Sequence, residues 1–157
     1  MKRPSPFALT LGAALLATIW PLWSARHLPL VDIPQHLHLI HVLGHLDDPN
    51  TLYPELFKAR GQLTPYLGYY YSVSLLAKVF DIYTANRLFL SFVAILTPLS
   101  VRALLRSLRS SEWLCLLACP LFYGDNLYWG FINYCASLPL LLFSLAWFLD
   151  VLQEPVP

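Results

Sequence analysis

The stretch that decides the fold is NRLFLSFVAILTPLSVRALLRSL, residues 86–108. Between Leu88 and Val101 it carries no charge, and apolar side chains fill most positions. A helix needs about 20 such residues to cross the hydrocarbon core of a bilayer. Pro98 lies inside the stretch, where a membrane helix tolerates it because neighbouring groups re-satisfy the freed backbone. Arg102, Arg106 and Arg109 gather at its far end. Clustered basic residues beside a span face the cytoplasm.

Working outward, the same pattern recurs. Residues 7–25 form an apolar run behind Lys2 and Arg3. The run is longer than the roughly 7–15 residues of a signal peptide core, and it ends in Trp20-Pro21-Leu22-Trp23 rather than at a small-residue cleavage site. It therefore reads as an uncleaved first span with an aromatic far end. Downstream, residues 109–123 give a short apolar run and residues 130–152 a long one containing Pro139. Residues 64–83 are apolar but interrupted by Lys78 and Asp81, and Tyr66, Tyr69, Tyr70 and Tyr71 resemble an interfacial anchor. If this segment crossed, the two basic clusters would fall on opposite sides of the membrane. The expected fold is therefore an all-α, polytopic transmembrane protein with four spans, near 7–25, 86–108, 109–123 and 130–152. Residues 26–85 then form an outer loop with interfacial helices, and 124–129 a second outer loop. The short third span is expected to use Arg109 and Glu112 by snorkelling.

Composition agrees. Charged residues make up 12% of the chain, against about a quarter in soluble domains. A net charge of +1 gives no field for nucleic acid, which is excluded as a partner. The 13 prolines are many for a soluble bundle. Cys115 and Cys119 lie one turn apart, with Cys135 in another run. They read as packing residues, since structural zinc wants about four ligands.

Polar chemistry concentrates in two places. The first is VDIPQHLHLIHVLGHLDD, residues 31–48. Pro34 suits the first turn of a helix, and Asp47-Asp48-Pro49-Asn50 ends it. At about 100° per residue, His38, His41 and His45 fall within about 60° of one another. His36 falls on the opposite side, with Ile40 and Leu43. Histidines four apart can share a metal ion, but no third ligand type follows, and a solvated stripe on an interfacial helix is the preferred reading. Asp32 precedes the helix. It is either a cap or an acid placed at the bilayer edge to bind a metal, a hydroxyl or a headgroup. The second place is FYGDNLYWGFINY, residues 122–134. Asp125 is its one carboxylate, in a Gly-Asp-Asn sequence that also suits a turn. On the four-span topology both acids lie on the outer side, where together they could hold a divalent metal ion.

The order of these features resembles the N-terminal part of the GT-C class of membrane glycosyltransferases, bacterial relatives above all. The resemblance rests on Asp32-Ile33-Pro34-Gln35-His36, Thr64-Pro65-Tyr66-Leu67 with Tyr69-Tyr70-Tyr71, and Lys78-Val79-Phe80-Asp81. It continues through Asn86-Arg87-Leu88, Cys119-Pro120-Leu121-Phe122-Tyr123 and Gly130-Phe131-Ile132-Asn133. It implies a multi-pass protein of the bacterial inner membrane that moves a sugar from a polyprenyl-phosphate donor on the outer face. Asp32 would activate the acceptor or bind metal, and a second-loop acid would sit where Asp125 or Asn133 falls. Asp32 and Asp125 are thus the catalytic candidates, with His36 and Asn133 as binding residues. The arginine that usually precedes the second acid is missing. Members of the class run to several hundred residues, so this chain is expected to be a fragment or short form working with a partner subunit. The competing expectation is a non-catalytic membrane scaffold or assembly subunit in the lipid bilayer, with Asp32 as a cap and the aromatic loops as packing surface. A transporter is the weakest reading, because the spans carry few ionisable residues.

Overall fold

A computed structural model describes residues 5–59 and 67–153. Lys2, Arg3 and Tyr66, on which part of the sequence reading rests, lie outside them. All regular structure among the described residues is helical. The elements are α1 (Pro6–Ser24), α2 (Ile33–Gly44), α3 (Tyr53–Leu56), α4 (Leu67–Leu76) and α5 (Ile82–Ser107). A 3-10 segment (Glu112–Leu117) follows, then α6 (Ala118–Leu121), α7 (Asp125–Trp129) and α8 (Ile132–Gln153).

Three helices, α1, α5 and α8, are long and apolar enough to cross a membrane. At 1.5 Å per residue they measure about 28, 39 and 33 Å, against a hydrocarbon core of about 30 Å. Only 17%, 28% and 17% of their most apolar windows are buried within the protein, so most of that apolar surface faces outward. Ser5 caps α1 by accepting from the Ala8 amide, with Pro6 preset for the first turn. Asp81 caps α5 by accepting from the Tyr83 and Thr84 amides.

The helix α5 is the central post. The first helix runs antiparallel to it: Phe7 meets the Arg102 guanidinium near one end, and at the other the Trp23 indole donates to Ser91 Oγ at 3.0 Å. In contrast, α8 runs parallel to α5. Tyr69 ties their starts together, donating its hydroxyl to Asn86 Oδ1 at 2.7 Å and its amide to Asn133 Oδ1 at 3.3 Å. Near their ends, Ser107 donates to Ala146 O and Gln153 Nε2 donates to Ser107 O. Two parallel neighbours force residues 108–131 to bring the chain back.

That return is not the continuous helix expected over 109–123. Arg109, with φ 54°, turns the chain out of α5. The 3-10 segment and α6 then supply ten helical residues, about 18 Å at their respective rises. The return starts with Trp113 packed on Phe7. Tyr123 later donates its hydroxyl to Thr18 O, about 16 Å further along α1. Glu112 is paired with Arg102 at 2.7 Å and with Arg106 at 3.8 Å.

The described tyrosines of α4 differ from the interfacial anchor expected. At ten residues, α4 is about 15 Å long and turns back through 77–80 into α5. Tyr69 and Val73 are fully buried among α2, α5 and α8, Tyr70 is half-buried, and only Tyr71 is exposed. The tyrosines are therefore mainly packing and hydrogen-bonding groups. A short helix laid between three others has an inward face at helical spacing, and Tyr69 and Val73 occupy it.

Candidate functional site

The site begins at the first turn of α2. Asp32 precedes this helix with φ −93° and ψ 0°, and its carboxylate makes no capping hydrogen bond. Capping carboxylates normally project from an extended residue; this backbone is helical instead. Pro34 also removes one of the donors a cap would serve. Asp32 lines a 540 Å³ cavity shared with His36, Asn126, Gly130, Asn133 and Ser137, with Phe131, Ile132 and Tyr134 as its apolar wall.

Three contacts clamp the second loop onto this turn. Val31 donates its amide to Tyr128 O at 2.9 Å. His36 Nε2 lies 3.0 Å from Gly130 O, and His36 Nδ1 lies 2.7 Å from the Tyr70 hydroxyl. A carbonyl only accepts, so Nε2 carries a proton; in the neutral ring Nδ1 then accepts from Tyr70. The imidazole also meets the edges or faces of Tyr69 and Tyr70. The third contact is steric. Gly130, at φ +92°, ends α7, with its amide bonded to Leu127 O and the Phe131 amide to Asn126 O, a Schellman ending. A Cβ on Gly130 would stand 2.8 Å from Asp32 Cβ. Only glycine fits both the backbone angle and the approach.

Three of the four residues singled out from the sequence, Asp32, His36 and Asn133, line this one cavity. The fourth, Asp125, does not. It is exposed in the first turn of α7, and its neighbour Asn126 lines the cavity instead. A helix N-terminus is a favourable place for a solvated carboxylate. No family model, curated protein or solved structure matches the chain. Among the described residues no group of three or more His, Cys, Asp or Glu side chains is arranged to hold a metal ion. One carboxylate beside two asparagines is a poor donor set for a hard divalent cation, which draws on several oxygen ligands. The divalent-metal expectation for an Asp32–Asp125 pair therefore does not fit these residues. His36 spends both its nitrogens on Tyr70 and Gly130, and so orients the loop.

The opposite side of α2 carries the histidines on one exposed stripe. His38, His41 and His45 are exposed, whereas Ile33, Leu37 and Ile40 are buried. His41 and His45 stack at 4.2 Å, and His45 Nδ1 donates to His41 O at 2.8 Å. Partial burial and the neighbouring imidazoles of His45 and His38 hold His41 below the ordinary histidine range. Burial pushes the Tyr69 phenol up, with Tyr70 adding to the effect. The part of the site hidden from sequence reasoning was its support: Tyr70, Asn126 and Ser137. Asn126 was visible only as a neighbour of the acid, and Tyr70 only as one of several tyrosines.

Proposed function

We propose that this chain is the membrane module of a glycosyltransferase that moves a sugar from a polyprenyl-phosphate donor to a hydroxyl acceptor, with Asp32 as general base. The observation that carries the reading is Asp32, which is uncapped and lines a cavity together with residues of the clamped loop. A carboxylate at a membrane boundary needs water, a cap or a partner. Here the cap is absent and the cavity supplies the place for a partner. In the proposed step, an acceptor hydroxyl gives its proton to Asp32. Its oxygen bonds to the sugar's anomeric carbon, and the bond from that carbon to the donor phosphate oxygen breaks, leaving polyprenyl phosphate. Asn126, Asn133 and Ser137 offer hydrogen bonds to sugar hydroxyls.

The topology that accompanies this reading has four passes. Arg102, Arg106 and Arg109 put the end of α5 in the cytoplasm, so the start of α5 and the Asp32 cavity face outward. Helices α1, α5 and α8 cross, and residues 112–123 make the short return pass. The membrane is the bacterial inner membrane, and a partner subunit completes the enzyme.

The test uses membranes carrying the chain with its native partners and a radiolabelled polyprenyl-phosphate hexose. Asp32→Asn is expected to abolish sugar transfer while expression and insertion are unchanged. Wild-type turnover in that variant would leave the scaffold role as the better account.

A further inference from the structure

On the other side of α2 lies a second cavity of 370 Å³, lined by Arg26, His27, His38, His41, Arg87 and the apolar residues around Leu37. Two guanidinium groups and three imidazoles share its wall, and no carboxylate does. Such a wall is costly to assemble without an anion, because like charges repel. Among the described residues the ion pairs are those of Arg102 and Arg106 with Glu112, so Arg26 and Arg87 have no acidic partner there. Asp81, the nearest acid in sequence, accepts from the Tyr83 and Thr84 amides and lines a different cavity; its attraction to Arg87 is the smallest of the influences that lower its own pKa.

Arg87 is held in place, whereas Arg26 is exposed with one aromatic contact. Arg87 lies over the Trp23 ring at 4.9 Å, donates Nε to Tyr83 O at 3.3 Å and Nη2 to Thr84 Oγ1 at 3.2 Å. Arg26 lies over Tyr83 at 5.5 Å, and His27 packs edge-on against the same ring. A guanidinium fixed by aromatic and backbone contacts loses less freedom on binding, and its planar fork suits phosphate oxygens. The cavity sits where α1 ends and α5 begins, at the boundary of two spanning-length helices. Basic pockets at that level recognise lipid head groups.

We infer that the Arg26–Arg87 cavity is a phosphate site that takes the headgroup of an anionic membrane phospholipid. The site is separate from the Asp32 cavity and stands or falls independently of the transfer reaction assigned there.

The experiment measures lipid retention by native mass spectrometry on the full chain released from nanodiscs of phosphatidylglycerol, phosphatidylcholine or both. Retention of one phosphatidylglycerol in preference to phosphatidylcholine is expected. Arg26→Gln/Arg87→Gln should weaken it at least about tenfold, the scale of losing charge-assisted hydrogen bonds. Arg26→Gln alone should weaken it measurably and keeps the Arg87 contacts to α1 and α5 intact. Arg106→Gln, at the other end of α5, should not change it. Millimolar inorganic phosphate added to phosphatidylcholine samples separates the two sources. Phosphate binding without a lipid preference, lost in the double variant, would keep the phosphate site but assign it to a soluble ligand. Retention that is unchanged in both variants, or no preference for either anion, would overturn the inference.

Discussion

His36 and His41 stand five residues apart on one short helix, in much the same local sequence. His36 is closed in, with one nitrogen on the Tyr70 hydroxyl and the other on Gly130 O. His41 is exposed and stacked on His45. The helical wheel tells the two sides apart, but what each side meets is decided by residues 34 and 94 positions away from His36. The closed side is built; its parts have few alternatives. The open side is an exposed stripe, whose histidines are held by fewer contacts. Substitutions should therefore separate the two sides by size of effect.

The largest effect is expected at Gly130. Alanine there adds a Cβ 2.8 Å from Asp32 Cβ at a backbone angle of +92°. Left-handed strain alone costs on the order of 1–3 kcal/mol, and the clash adds to it. Gly130→Ala should lower the unfolding temperature of the purified chain clearly, whereas Gly44→Ala, with nothing within 4 Å, should not. Equal, small shifts in both would mean that the loop is not clamped on Asp32.

A smaller loss is expected for Tyr70→Phe, which removes the hydroxyl on His36 Nδ1. An unpaired polar atom in a partly buried site costs about 1–3 kcal/mol. Tyr71→Phe, on the exposed side of α4, should stay within about 0.5 kcal/mol of wild type. Chemical denaturation of the two variants checks the contrast, which is lost if Tyr71→Phe is as damaging as Tyr70→Phe.

The smallest effect belongs to the open stripe. His41 should titrate below 6.5, followed by imidazole NMR, because partial burial and the charges of His45 and His38 oppose its protonation. Its folded-state value is lowered, so the unfolded chain binds the proton first. Stability should therefore decline slightly as the pH falls from 6.5 through the folded midpoint. His45→Ala should raise that midpoint towards 6.5. A midpoint already at or above 6.5 in the wild type would mean that His41 does not feel its neighbours.

Much of this plan was legible in the sequence, for stated physical reasons. Long uncharged runs mark α1, α5 and α8, because length and apolarity are what a bilayer demands. The two faces of α2 follow from a 3.6-residue period. The return through 112–121 was not legible as a 3-10 segment, since apolar content does not distinguish a broken short helix from a continuous one. Tyr69 and Tyr70 read as interfacial because tyrosine suits both a membrane belt and a buried hydrogen bond, and only their partners Asn86 and His36 settle the matter. The exchange of Asp125 for Asn126 turns on about 100° of helix rotation, less than a turn-and-helix boundary can be placed from sequence.

The central claim is that the loop before α8 is clamped over Asp32 and that their shared cavity faces outward. Val31 and Tyr128, whose backbones are joined at 2.9 Å, report on it without touching the carboxylate. In a chain lacking Cys115, Cys119 and Cys135, Val31→Cys and Tyr128→Cys can be treated with a short, membrane-impermeant bifunctional thiol reagent in right-side-out vesicles. Near-complete intramolecular cross-linking from outside is expected, with neither cysteine left for a second reagent. Independent labelling of the two cysteines, or reaction only after the vesicles are opened, would contradict it.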